Sequence, residues 1–137
     1  MPGGNALSRA TAGSSTESPW PFVLTRNSET VDATITIGAH LSDAIDFRDL
    51  TMMIVRMPVA WTVASIGFHV SDTEAGTFLP IYDEDGAILE IVTPVADTAY
   101  AAPPALSGAH WVKLWSQTAG ADVAQVAERV LPVDMKS

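Results

Sequence analysis

Three histidines, His40, His69 and His110, are the residues of this chain best suited to proton transfer or metal ligation, and their spacing serves neither. Histidine metal sites use short, fixed intervals, and none of the three stands in one. His69 has the outward phase of an alternating segment, so each histidine reads as a surface or rim residue. Serines are plentiful, yet none occupies a Gly-x-Ser-x-Gly elbow, and no phosphate-cradling glycine loop is present. The expectation is a chain that is not an enzyme, with no catalytic residue, no cofactor and no metal.

The acidic run Asp83-Glu84-Asp85-Gly86 offers the hard oxygen atoms that calcium takes. It is shorter than an EF-hand loop, and Pro94 stands where the bidentate glutamate would fall. Asp72 and Glu74 would add ligands only if the fold brought the two loops together, so a solvated hairpin tip is the preferred reading. The tryptophans carry more weight. Trp111 and Trp115 share one side of an alternating segment with Lys113 between them, while Val112 and Leu114 point the other way. An exposed indole pair stacks on sugar rings or centres a protein interface; the alternative buries both indoles between sheets, with the lysine at a rim. The sequence leaves both open.

The elements that must position these residues are strands. Val31 to Ile37 alternates with period two and is β-branched, and Leu50 to Met57 is an almost continuous apolar run. Ala64 to Val70 alternates again. Phe78–Tyr82 and Ala87–Val92 flank the acidic turn as a hairpin, and His110–Ser116 and Arg129–Met135 complete the set. Pro132 marks the last of these as an edge or bulged strand, and Ala119 to Glu128 is the one place for a short helical turn. Seven or eight short strands without amphipathic helices predict an all-β, antiparallel β-sandwich of jelly-roll type.

The chain has 137 residues, 47% of them hydrophobic, and no cysteine, which suits one domain with a core and excludes disulfides and thiolate metal sites. Residues 1–22 read as an extended N-terminal arm and 23–137 as the sandwich domain. Up to residue 19 the arm is rich in Gly, Ser, Thr and Ala with almost no large apolar residue except Leu7, a composition that does not order alone. Contact with its own domain or with a neighbouring chain would order it. Trp20-Pro21-Phe22 then reads as an anchor, two aromatics around a stiff proline.

The net charge of −9 lies wholly in residues 31–137, which hold 14 acids against 5 bases. Such a body repels phosphate backbones and anionic lipid, so neither nucleic acid nor membrane is an expected partner. With no apolar run of membrane-spanning length and no signal-like start at Met1-Pro2-Gly3-Gly4-Asn5, the expectation is a soluble protein made in the cytoplasm.

One succession of segments goes further. Met57-Pro58-Val59-Ala60-Trp61-Thr62 leads into Ile66-Gly67-Phe68-His69-Val70-Ser71-Asp72, and Gly76-Thr77-Phe78-Leu79-Pro80-Ile81-Tyr82-Asp83 runs into Asp85-Gly86. Trp111-Val112-Lys113-Leu114-Trp115-Ser116 is followed by Val123 to Arg129. This order resembles small virion structural proteins of tailed bacteriophages and of phage-like gene transfer agents, with Trp115 and Gln117 departing from the usual Arg and Gly. The resemblance implies a non-enzymatic virion component, foremost a capsid decoration protein on the outer surface of a head. Its partners would be the major capsid protein and copies of itself, as a homo-oligomer of which a trimer is one form. Leu7, Trp20, Pro21, Phe22, Trp111 and Trp115 are the candidate interface residues. The rival readings are a discoidin-like carbohydrate-binding module on a tail or spike, using Trp61, Trp111 or Trp115, and a neck or tail adaptor.

Overall fold

The computed structural model describes residues 28–137. Leu7, Trp20, Pro21 and Phe22, and the expected boundary at residue 22, lie outside the described residues. In chain order the strands are β1 (Ser28–Ile35), β2 (Ile45–Asp46), β3 (Met52–Arg56), β4 (Ser65–Ser71) and β5 (Leu79–Pro80). Then come β6 (Glu90–Ile91), β7 (Ala99–Ala101), β8 (Trp111–Thr118), β9 (Ala121–Asp122) and β10 (Arg129–Lys136), with a 3₁₀ turn at Pro104–Gly108.

Two antiparallel sheets result. The first has the order β1-β10-β3-β7; the second has β2-β8-β4-β5, with β6 on β4 and β9 on β8. Their facing sides follow from the alternation in sequence. Ala33 and Ile35, Met53 and Val55, and Leu131, Val133 and Met135 point inward from the first sheet. Ile66, Phe68, Val112 and Leu114 meet them from the second, and Phe47 and Leu106 join the same core. Each such large side chain, fully buried, contributes roughly 1.5–3 kcal/mol. The all-β sandwich expected from the pattern is the fold observed.

Three local expectations are corrected. β10 is an interior strand between β1 and β3, not an edge. Pro132 is tolerated because the β3 ladder ends at Val133–Val55, so a missing N–H beyond that rung breaks nothing on that side. No helical turn forms in 119–128: Ala119 (φ 51°) and Gly120 (φ 87°) take the left-handed conformation and make a two-residue hairpin turn from β8 to β9. The hairpin around the acidic turn is held by the Tyr82–Ile88 bridge, but β5 and β6 both pair with β4 instead of with each other.

The connections β1–β2, β3–β4, β6–β7 and β9–β10 all cross between the sheets at one end of the sandwich. The described chain begins at Ser28, paired with Lys136, at the opposite end.

Candidate functional site

The outer face of the second sheet is where the sequence placed its tryptophans. Trp111, Lys113, Trp115 and Gln117 of β8 stand there beside Ser65, Gly67, His69 and Ser71 of β4, in the register Gly67–Trp115 and His69–Lys113. The indoles are not between the sheets, because Val112 and Leu114 hold the inner side. Their fates differ. Trp115 is 3% exposed. Its indole lies across Gly67, where a Cβ would come within 2.7 Å of Trp115 Cε3. Its Nε1 donates to Asp122 Oδ1 of β9 at 2.8 Å. Trp111 is half-buried, with the Arg48 guanidinium 5.4 Å from its ring centroid. Arg48 is held by a two-armed contact with Asp46, Nε to Oδ1 at 3.1 Å and Nη2 to Oδ2 at 2.8 Å, and these bonds draw the Asp46 carboxyl below its usual range.

Three basic side chains thus face three rings along this face. Arg48 meets Trp111, Lys113 Nζ lies 4.6 Å from the Phe78 centroid, and His69 meets the edge of Trp115 at 4.6 Å and 72°. Both ring nitrogens of His69 are buried and lack a hydrogen-bond partner. Burial lowers its pKa from the ordinary value; Asp122 opposes this shift, while His40 and Lys113 add to it. His40 Nε2 is 3.3 Å from Asp122 Oδ2, and the charge of the same carboxylate acts on His69, 29 positions further along the chain. Spacing along the chain gave no sign of this. Gln117, fully buried on the same face, donates to Glu90 Oε1 at 2.7 Å and accepts from the Gly120 N–H at 2.7 Å.

At the end where four connections cross, Ile37, Val59, Val63, Val92, Val95 and Val126 form an aliphatic rim, each at least 63% exposed. Beside it a groove of about 400 Å³ is lined by Arg56, Pro58, Val59, Ala99, Val130 and Pro132. Exposed apolar clusters of this kind mark interaction surfaces. The loops beneath are tied together by Gln125, fully buried, whose Nε2 donates to the Thr62 carbonyl and to Ser116 Oγ. Its Oε1 accepts from the Thr62 N–H and from Arg129 Nε. Further bonds run from the Asp97 N–H to the Pro58 carbonyl and from the Gly38 N–H to the Gln125 carbonyl. Thr93 (φ 41°) and Asp97 (φ 59°) hold the β6–β7 crossing in a conformation side chains disfavour. The rim residues, scattered over ninety positions from Ile37 to Val126, were not singled out from sequence.

The remaining candidates are placed as follows. Asp83 Oδ1 accepts the N–H groups of Asp85 and Ala87, both at 2.8 Å, so that carboxylate organises its own turn. Among the described residues no group of three or more His, Asp or Glu side chains is arranged to hold a metal ion. Trp61 is half-buried and its Nε1 donates to the Ala64 carbonyl at 3.0 Å. No described helix is long and apolar enough to cross a membrane.

An antiparallel β-sandwich with a covered outer face and an aliphatic rim is the class these features define. Its fold is similar to that of the SPBc2 prophage-derived protein YomS, seen in a crystal structure: the TM-score is 0.54 at 11% sequence identity, over 85% of this chain and 98% of that one. No family model matches the sequence, and no curated protein matches it.

Proposed function

We propose that this chain is a non-enzymatic structural protein of a phage-type particle, seated as a decoration protein on the outside of the head. The observation that carries the proposal is the fold likeness, which spans nearly the whole of a prophage-derived protein. The strand order supports it: with the two-residue β6 and β9 set aside, the sheets interleave as in a jelly roll, an architecture that capsid and lectin domains share. The acidic body suits a surface turned away from packaged nucleic acid.

In this reading the aliphatic rim meets the shell formed by the major capsid protein. The arm of residues 1–22, with Leu7, Trp20, Pro21 and Phe22, supplies a second contact, to neighbouring copies in a homo-oligomer such as a trimer. Many copies on a repeating lattice turn two modest contacts into firm attachment. A sugar-stacking platform is less well supported, because Trp115 is covered and Arg48 occupies the space over Trp111.

Particle-binding assays test this reading. Deleting residues 1–22 is expected to abolish attachment to particles while the domain stays folded. Val59→Asp with Val126→Asp is expected to weaken attachment at least about tenfold, with stability within about 0.5 kcal/mol of the parent. Attachment undiminished in both variants contradicts the proposal.

A further inference from the structure

The outer face of the second sheet holds a half-buried histidine whose surroundings favour its neutral form. Across this face the order of strands is β8, β4, β5, with Lys113 opposite His69 and His69 opposite Pro80. The contact between Lys113 Nζ and the Phe78 ring therefore spans the place His69 occupies, while Trp115 closes one side of it. A neutral imidazole has one N–H donor and one nitrogen acceptor, and here both are buried and unmatched. A protonated ring has two donors and a charge, and the Phe78 backbone is the one acceptor that favours it there, which leaves the second donor unmatched.

The charged neighbours do not compensate. From β8 comes Lys113, a like charge. From β9 comes Asp122, whose carboxylate is already engaged by Trp115 Nε1 and His40 Nε2. From the β1–β2 connection comes His40, itself a potential cation. β5 brings Pro80, and just before it the Phe78 backbone favours the charged ring as an acceptor without offsetting the burial, which is the larger effect. On β6, Glu90 is bound to Gln117.

We propose that His69 is an acid-operated latch: on taking up a proton, its ring leaves the space beneath the Lys113–Phe78 contact and uncovers Trp115. The covered face at neutral pH becomes an open one in acid, with the sandwich beneath it intact, since its core lies on the other side of the sheet. The lowered pKa of His69 agrees in sign. The unfolded chain binds this proton at higher pH than the folded one, so the histidine's contribution is complete above about 6.5 and is lost as pH falls from there toward the folded value.

The test is a titration of the full chain by nuclear magnetic resonance, from pH 8 to 4, following the His69 ring and the Trp115 indole with a soluble paramagnetic chelate present. The expected result is a His69 midpoint below 6.5 and a several-fold rise in paramagnetic relaxation of the Trp115 indole with the same midpoint. In His69→Phe, which keeps a ring against Trp115 but does not titrate, the indole is expected to stay shielded throughout. A His69 midpoint at or above 6.5 overturns the proposal, as does an indole that stays shielded while His69 titrates. The wild-type titration decides the matter even if the variant does not fold, and an unchanged transition in a folded variant also overturns it.

Discussion

Gln125 grips Thr62 as a neighbouring strand would: its Oε1 accepts the Thr62 N–H at 3.0 Å and its Nε2 donates to the Thr62 carbonyl at 3.2 Å. The same amide also reaches Ser116 Oγ at 2.9 Å and Arg129 Nε at 3.1 Å. One buried side chain thus holds the β3–β4 and β9–β10 connections in the geometry that presents Val59, Val63 and Val126 together.

Gln125→Leu keeps roughly the volume and leaves the part-buried N–H and C=O of Thr62 and the buried Ser116 hydroxyl without their amide partner. The expected cost is about 2–4 kcal/mol in chemical denaturation, since each orphaned buried group costs about 1–3 kcal/mol. Particle attachment is expected to fall with it, because the rim loses its fixed shape. A cost below about 1 kcal/mol would show that water or a shift of the loop replaces the amide.

The approach of Trp115 to Gly67 makes a second prediction. A methyl group at position 67 meets Trp115 Cε3 at 2.7 Å and Gln117 Cγ at 3.3 Å. Gly67→Ala is therefore expected to destabilise by about 1–3 kcal/mol and to shift tryptophan emission toward that of exposed indole. Combining it with Trp115→Phe relieves the clash, so the double variant is expected to lose less than the sum of the single losses. Strict additivity would contradict the contact.

At the β8–β9 turn, Ala119 holds φ 51° with no glycine-like freedom. Ala119→Gly removes a left-handed penalty of about 1–2 kcal/mol and adds back the entropy of a freer unfolded chain. The net expectation is a gain of about 0.5–1 kcal/mol in thermal or chemical unfolding. A loss would mean that residue 119 is not left-handed.

The sandwich was legible in the sequence because its long strands alternate cleanly. Ala33 and Ile35, Ile66 and Phe68, and Val112 and Leu114 fall on the inner phase and are all buried. Period two assigns a side chain to a face of its sheet; it does not say whether a loop then covers that face. Trp115 and Gln117 are for that reason buried on what the pattern marks only as the side away from Leu114. β7 escaped notice because Ala99-Tyr100-Ala101 lacks branched residues, and its pairing with β3 is decided by tertiary context. Gln125 lay in the one stretch that could form a short helical turn, and Ala119-Gly120 is not a usual hairpin dipeptide; the left-handed φ values there go with the β8–β9 pairing. The rim was illegible for a different reason. Its residues come from four connections, and only the crossings of the fold bring them to one end.

The most direct measurement is the position and copy number of this chain in purified particles, by electron cryo-microscopy with quantitative mass spectrometry. Copies in the hundreds are expected on the outer surface of the head, with the aliphatic rim against the shell. A dozen copies or fewer at a single vertex would instead make it a neck or tail component, and its absence from particles would contradict the central claim altogether.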